Sequence, residues 1–480
     1  MTNPDGPPKA LIAFMTERWA TEPSSQSASR DDARSFAARR AALRARFPTE
    51  TLVIPTGHRQ VRSNDTHYRF RPGSDFFWLT GHLEPDAVLV LTPAPHQAHL
   101  FVEPNAEKGS ETSFTDRKKG ALWVGPRLGV TQTQVETGVD AAHPLTELKA
   151  FLEARSGARV LRGLSPGTDA MIAPRDEGKP DQALAAAISE LRLIKDALEV
   201  AELERVIAST KRGLEDVIRG LRTARTEREV EALFELRART EGNGPGYGTI
   251  AAAGAHACTL HWTRNDGALR KRELLLLDAG VEGRALYTAD ITRTLPMSGR
   301  FSKVQREIYE LVHRAQKAAM AQVRPGNDFM EPNRHAARVL AHGLEALGIL
   351  PMPAKEALEE DKQFYKRYSL HNVSHMLGLD VHDCASASPE AYKKGKLKPG
   401  MVLTMEPGLY FQPDDLTVPE RYRGLGVRIE DDVLVTENGM RNLSRSIPSE
   451  ATHVEEWMAN LWRKPSKRLS ARGAARSRSR

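Results

Sequence analysis

Two apolar runs in this chain each end in a carboxylate. Leu274-Leu-Leu-Leu277 leads into Asp278 and then Ala279-Gly280, and Met401-Val-Leu-Thr-Met405 leads into Glu406 and then Pro407-Gly408. Short apolar runs closed by glycine read as core strands. Each therefore sets an acid where a buried sheet meets a cavity. Burying a carboxylate without a cation or a hydrogen-bond donor is costly. Taken singly, each acid is better read as opening a turn or capping a helix. Together they demand positive charge in the interior.

Further acids and histidines stand in patterns that fit the same site. Asp290 lies in Ala289-Asp-Ile-Thr-Arg-Thr294, a strand-like alternation that a hairpin from the first run brings beside Asp278. Near the C-terminus, Arg428, Glu430 and Asp432 share one strand face, with Val427 and Ile429 on the other. An arginine two residues from an inward glutamate can hold a neighbouring carboxylate charged. A surface ion-pair ladder competes evenly with that reading. His371, His375 and His382 fall within twelve residues, in a chain with 15 histidines in 480. His261 is a fourth candidate of lower weight. Two Asp, two Glu and one His form an oxygen-rich set that suits Mn²⁺, Co²⁺ or Zn²⁺ over thiophilic ions. Carboxylates can bridge two such ions, which then acidify a shared water.

Length and composition bound what surrounds this site. At 480 residues the chain exceeds one compact core, and two or three domains are expected. The run 52–55, 75–80, 87–92 and 100–102 reads as strands, and 31–46, 144–154 and 180–189 as helices, the first of them exposed. This is an α/β domain. One amphipathic helical pattern covers 183–222 and a second helix covers 227–241. Strands follow at 248–253, 273–278 and 284–292, then helices at 302–322 and 331–346, then strands at 401–406 and 426–435. Two helix pairs, each followed by strands, hint at a duplicated α+β half. Residues 1–28 read as a mobile leader with one short turn near 11–19. No apolar run spans a membrane, and no secretory core precedes Glu17. Two cysteines, Cys258 and Cys384, exclude a disulfide framework. A cytoplasmic protein is expected. The net charge of +7 is confined to the tail 463–480, whose eight Lys/Arg leave the rest of the chain at −1. Nucleic-acid contact is therefore a question about that tail alone, and a solvated extension is the preferred reading.

In this order, five strings resemble the pita-bread metallopeptidases, and within them aminopeptidase P more than methionine aminopeptidase. They are Leu277-Asp-Ala-Gly280, Ala289-Asp-Ile-Thr-Arg-Thr294, Ser374-His-Met-Leu-Gly-Leu-Asp-Val-His-Asp383, Pro399-Gly-Met-Val-Leu-Thr-Met-Glu-Pro-Gly-Leu-Tyr410 and Arg423-Gly-Leu-Gly-Val-Arg-Ile-Glu-Asp-Asp432. Upstream, Arg71-Pro-Gly-Ser-Asp-Phe-Phe-Trp-Leu-Thr-Gly81, Glu84-Pro-Asp-Ala-Val-Leu-Val-Leu91 and Trp123-Val-Gly-Pro-Arg-Leu-Gly129 are similar to that family's N-terminal domain.

The resemblance implies an α/β N-terminal domain over 29–189 and an α+β pita-bread catalytic domain over 190–462. It implies two divalent ions, manganese first and cobalt or zinc as alternatives. Asp290 and Glu430 would bridge them, Asp278 would bind one, and His375 with Glu406 the other. Glu406 would also shuttle the proton. His261, His371 and His382 would line the substrate side, the last two at the substrate carbonyl. Arg428 and Tyr247 would support the metal carboxylates. The implied reaction is attack of a metal-bridging hydroxide on the bond before a proline in second position. Proline makes that bond a tertiary amide and restricts its geometry. A homo-oligomer contacting through its N-terminal domain is implied as well. An Xaa-Pro dipeptidase on the same fold is the alternative, and an inactive peptide-binding module the more distant one. Creatinase shares the fold without the ligand set. Asp278 and Asp290 stand twelve residues apart, one more than the family spacing, and the extra residue is expected in the 282–286 turn or in a bulge.

Overall fold

The computed structural model describes residues 7–20 and 32–463, except His96, Asn105, Glu107 and Ser156. The expected leader is thus described in part, and the tail beyond Arg463 lies outside the described residues. Lys9–Thr16 is a short helix where the sequence suggests one turn. The chain divides into two compact units, residues 1–191 and 192–480.

The first unit is built on a five-stranded mixed sheet. Its order is Ala141–Pro144, Ala98–Val102, Val88–Leu91, Leu52–Pro55 and Arg159–Val160. The three inner strands are buried at every residue. That burial explains why they read as continuous apolar runs with no alternation. The segment 75–80 is not a strand. Ser74–Thr80 is a helix with Asp75 in its first turn and Gly81 as a left-handed C-cap. A short apolar run carries no period that separates strand from helix, and the capping glycine decides it here.

The helix Ala33–Arg46 is also not the exposed element expected of an Ala/Arg segment. Phe36, Arg39, Arg40 and Leu43 are buried. Arg40 Nη1 donates to the Leu79 carbonyl at 2.9 Å and Nη2 to the Gly138 carbonyl at 2.7 Å. The arginines close the C-terminal ends of two neighbouring helices, where carbonyls lack partners.

In the second unit, the expected helix over 183–222 breaks. Asp196 caps Ala197–Gly220 by accepting from the Leu198 and Glu199 amides at 2.9 Å, and Glu199 reaches back to the Asp196 amide at 3.0 Å. Asp-x-x-Glu is a helix start signal, and it overrides the continuous apolar period. The helix Glu227–Glu241 packs beside Ala197–Gly220. An antiparallel sheet follows, with Leu274–Ala279 between Ile291–Pro296 and Ile250–Ala253. The pattern repeats: helices Lys303–Met320 and Glu331–Ala346 precede an antiparallel sheet of Val402–Met405, Asp431–Thr436 and Gly439–Asn442. Gly408–Tyr410 and Gly426–Arg428 form a separate ladder. The strand expected over 426–435 is thus broken at Ile429–Glu430. The strand expected over 284–292 begins only at Ile291. Among the described residues no helix is long and apolar enough to cross a membrane.

Replacing Arg40 by methionine removes the donors of the buried Leu79 carbonyl and the partly buried Gly138 carbonyl. A loss of about 3 kcal/mol is expected in the first unit, read by urea denaturation followed at a probe within residues 32–191.

Candidate metal centre

The ends of the sheet strands deliver the acids. Asp278 is the penultimate residue of Leu274–Ala279 and pairs in register with Thr292. Asp290 immediately precedes the partner strand. Gly280 makes this possible, since a Cβ there would lie 1.7 Å from the Ala289 carbonyl oxygen. The Tyr247 hydroxyl sits 2.7 Å from Asp278 Oδ1 and 2.5 Å from Asp290 Oδ1, so Asp290 faces inward. Burial and these two carboxylates push the Tyr247 phenol far up, and it stays a donor.

Glu430 sits where the two ladders meet. Thr292 Oγ1 donates to its Oε2 at 2.6 Å. Arg428 is buried and spans the site: Nη2 donates to Asp278 Oδ2, Nε to Thr292 Oγ1 at 3.2 Å and Nη1 to the Tyr410 hydroxyl at 3.1 Å. The Asp290 amide donates to Asp432 Oδ2 at 3.2 Å.

The histidine segment closes the other side. His375 Nδ1 lies 3.1 Å from the Met376 carbonyl, which can only accept, so that nitrogen carries the proton. Nε2 then points at Asp290 Oδ2 and Glu406 Oε1, each 3.3 Å away. Ligand atoms of Asp290, His375 and Glu430 all lie within 4.8 Å of one another. His371 is bonded through Nδ1 to the Asn372 carbonyl and through Nε2 to the Tyr410 hydroxyl at 2.7 Å. The His382 ring packs edge-on against His375, with centroids 4.5 Å apart. His261 projects from the loop after Ile250–Ala253. Tyr247, His261, Asp278, Asp290, His371, His375, His382, Glu406, Arg428 and Glu430 all line one cavity of about 820 Å³.

The electrostatics show a shortage of positive charge. Burial raises Glu430 and Asp432 well above the carboxylate range, and neighbouring carboxylates raise them further. Burial lifts Asp278 to about 6, with Arg428 opposing and Asp290 adding. Burial alone would strip the proton from His375, but Asp290 and Glu406 hold it there. Glu406 is the exception. Burial pushes it up, yet the hydrogen bond from His375, the adjacent imidazoles and Arg428 bring it to about 2. Carboxylates pushed toward their protonated forms by burial and by one another, around an imidazole nitrogen, form a donor set that divalent cations satisfy. The residues present fit such ions.

Tyr410 and Thr292 belong to this network and are not in the sequence-derived set, and Asp432, placed by the sequence on the Glu430 face, is given no role there. Strand alternation carries a signal for Thr292, which shares a face with Asp290. Tyr410 closes a quoted string but becomes meaningful only when Arg428 and His371 meet at its hydroxyl. Glu227 was also missed. Its fully buried carboxylate accepts from the Ala253 and Gly267 amides at 2.7 Å and from Trp262 Nε1 at 2.9 Å, and lies 2.8 Å from His256 Nδ1. These bonds tie down the loop that carries His261.

The comparisons agree with this geometry. Residues 36–160 match the family model "Aminopeptidase P, N-terminal domain", and residues 201–437 match "Metallopeptidase family M24". The Xaa-Pro aminopeptidase 1 of Streptomyces coelicolor is 48% identical over 450 residues, covering 93% of this chain and 90% of that protein. The Xaa-Pro aminopeptidase of Escherichia coli is 34% identical, covering 88% and 97%. Among solved structures, Pseudomonas aeruginosa aminopeptidase PepP superposes with a TM-score of 0.80 at 33% identity, covering 90% of this chain and 99% of that one. Escherichia coli aminopeptidase P with the inhibitor Pro-Leu gives 0.81 at 31%, covering 91% and 100%. The fold and the site define a metal-dependent hydrolase in which an α/β domain precedes a pita-bread catalytic domain along the chain. The chain belongs to the aminopeptidase P branch of metallopeptidase family M24.

Because burial and like charge push Asp278 and Glu430 toward their protonated forms, and Asp290 with Glu406 hold a proton on His375, cation binding competes with protons. Net proton release is expected on Mn²⁺ binding at pH 6, and affinity should fall as the pH drops below that. Titration calorimetry in buffers of different ionisation enthalpy measures the number directly.

Proposed function

We propose that the chain removes the N-terminal residue from peptides with proline in second position, using two divalent ions held by Asp278, Asp290, His375, Glu406 and Glu430. The convergence of Asp290, His375 and Glu430 within 4.8 Å supports this most directly. Asp290 and Glu430 would serve both ions, Asp278 would hold one, and His375 with Glu406 the other. Manganese is the preferred ion, and cobalt or zinc suits the same donors. When bound, the ions supply Lewis acidity toward the scissile carbonyl and toward water.

The chain's own residues supply the rest. Glu406 is the proton carrier. Its two oxygens face different histidines, Oε1 toward His375 and Oε2 at 3.5 Å from His371 Nδ1. Ionised at the start, it takes a proton from the attacking water and passes it to the proline nitrogen as the bond breaks. His371 and His382 are both held toward the neutral form by burial. His371 is committed at both ring nitrogens to Asn372 and Tyr410. That leaves His382 as the better group for the substrate carbonyl oxygen. Arg428 and Tyr247 keep Asp278 and Asp290 aimed at the ions, and His261 bounds the substrate side.

Replacing Asp290 by asparagine should abolish both metal loading, measured by elemental analysis, and hydrolysis of Xaa-Pro-Yaa. Full activity of the Asp290→Asn variant would sink the ligand assignment. On substrates, Xaa-Pro-Yaa-Yaa should be cleaved faster than Xaa-Pro. Activity confined to the dipeptide would move the protein to the dipeptidase reading.

A further inference from the structure

His375 and His382 sit at the two ends of a closed loop of chain. The Asp383 amide donates to the Met376 carbonyl at 3.0 Å, and the Leu377 amide donates to the Val402 carbonyl at 3.0 Å. Immediately after His382, the Asp383 carboxylate turns away from the cavity centre into a buried pair of cations. Arg192 Nη2 donates to its Oδ1, and Lys195 Nζ donates to its Oδ2 at 2.9 Å. The side chains of Lys195 and Asp383 are each 1% exposed. Arg192 also donates to Asp380 Oδ2 at 2.8 Å, so two cations balance two carboxylates.

The loop is shaped around this cluster. A Cβ on Gly378 would lie 2.3 Å from Asp383 Oδ2 and 3.0 Å from Lys195 Cε, so only glycine admits the pair. Cys384 follows at φ 59°, a left-handed conformation that non-glycine residues avoid, and its Sγ lies 3.2 Å from Asp383 Oδ2. The same short segment reaches the other arms of the site. The Lys195 amide donates to the Gly400 carbonyl at 2.9 Å, at the foot of the strand that ends in Glu406. The Glu199 carboxylate accepts from the Tyr287 hydroxyl at 2.7 Å, three residues before Asp290.

A buried ion cluster stabilises a fold no better than well-packed apolar side chains. What it adds is a fixed direction. We propose that Arg192 and Lys195 are positioning residues for the peptidase reaction, clamping Asp383 and so fixing the adjacent His382 ring against His375. This rests on the reading of His382 as the group that meets the substrate carbonyl.

The test is a double-mutant cycle on the full chain with an Xaa-Pro-Yaa peptide, comparing Lys195→Met, His382→Ala and both together. Lys195→Met is expected to lower kcat about 10–100-fold, with KM and metal content per chain unchanged. In the His382→Ala background the same substitution should cost less than about twofold. Losses that multiply in the double variant mean that Lys195 acts on general structure, and they overturn the proposal. Full activity of His382→Ala alone would instead remove the reading beneath it. A second readout needs no turnover. In the metal-free protein, the imidazole NMR signals of His382 should shift on Lys195→Met while those of exposed His453 stay in place. Unmoved His382 signals overturn the clamp. Should Lys195→Met fail to fold, Asp383→Asn keeps the shape, removes the charge, and decides by the same outcomes.

Discussion

The catalytic unit is organised around more buried negative charge than its own cations neutralise. Asp278, Asp290, Glu406 and Glu430 line one cavity, Asp432 lies behind them against the Asp290 amide, and among the described residues Arg428 is the buried cation that lines the cavity with them. The chain eases this locally with donors. Tyr247 serves two carboxylates, Thr292 serves Glu430, and the Asp290 amide serves Asp432. These bonds fix where each oxygen points, and the remaining deficit shows as the upward push on Glu430 and Asp432 and on Asp278, lifted to about 6. Bound divalent cations would supply the missing positive charge.

Two other buried ionic clusters make the contrast clear. Arg293 is fully buried and donates to Asp431 at 2.7 Å and to the Pro448, Ile447, Thr292 and Glu430 carbonyls. Gln316 adds bonds to the Met405 and Ile429 carbonyls. The result is a saturated knot directly behind Glu430 and Glu406. The Asp383 cluster is similarly balanced behind His382. Charge-balanced clusters of this kind need no further charge and act as frame. The unsaturated one in front of them is where a ligand's charge is needed. Rigid support behind a site of this kind matters because misplacement by about 1 Å can cost 100-fold in rate.

Much of this was legible in the residues because the acids terminate apolar runs, and a run that must be core pins its last residue to a cavity edge. The clustered histidines and the Arg428 alternation carried the same information. The misread elements have a common cause. The 75–80 run, the 31–46 helix and the 183–222 pattern are all cases where local period was a poor guide: caps at Gly81 and Asp196 decided the first and last, and tertiary partners the second. Phe76 and Trp78 look like a strand until Gly81 caps them. Arg39 and Arg40 look solvated until carbonyls from distant segments meet them. Tyr410 and Glu227 carry no local pattern at all, since their roles exist only once several separated segments converge on one oxygen.

The twelve-residue interval between Asp278 and Asp290 shows how strongly that convergence constrains the chain. A one-residue slip in an antiparallel pair turns every side chain to the opposite face, and would take Asp290 out of the cavity. Instead the pairing of Asp278 with Thr292 and of Ala279 with Ile291 holds, and the excursion is confined beyond it. Val281–Glu282 leaves the sheet to pair with Gly244–Pro245, Glu282 bridges Thr288, and Leu286 adopts φ 65° in the turn. Only Arg284 and Ala285, at the tip of the turn, are not buried, so extra length meets the fewest neighbours there. The register cannot move, because Gly280 is closed over by Ala289, Tyr247 holds both carboxylates, and the apolar face of Leu274–Ala279 is wholly buried.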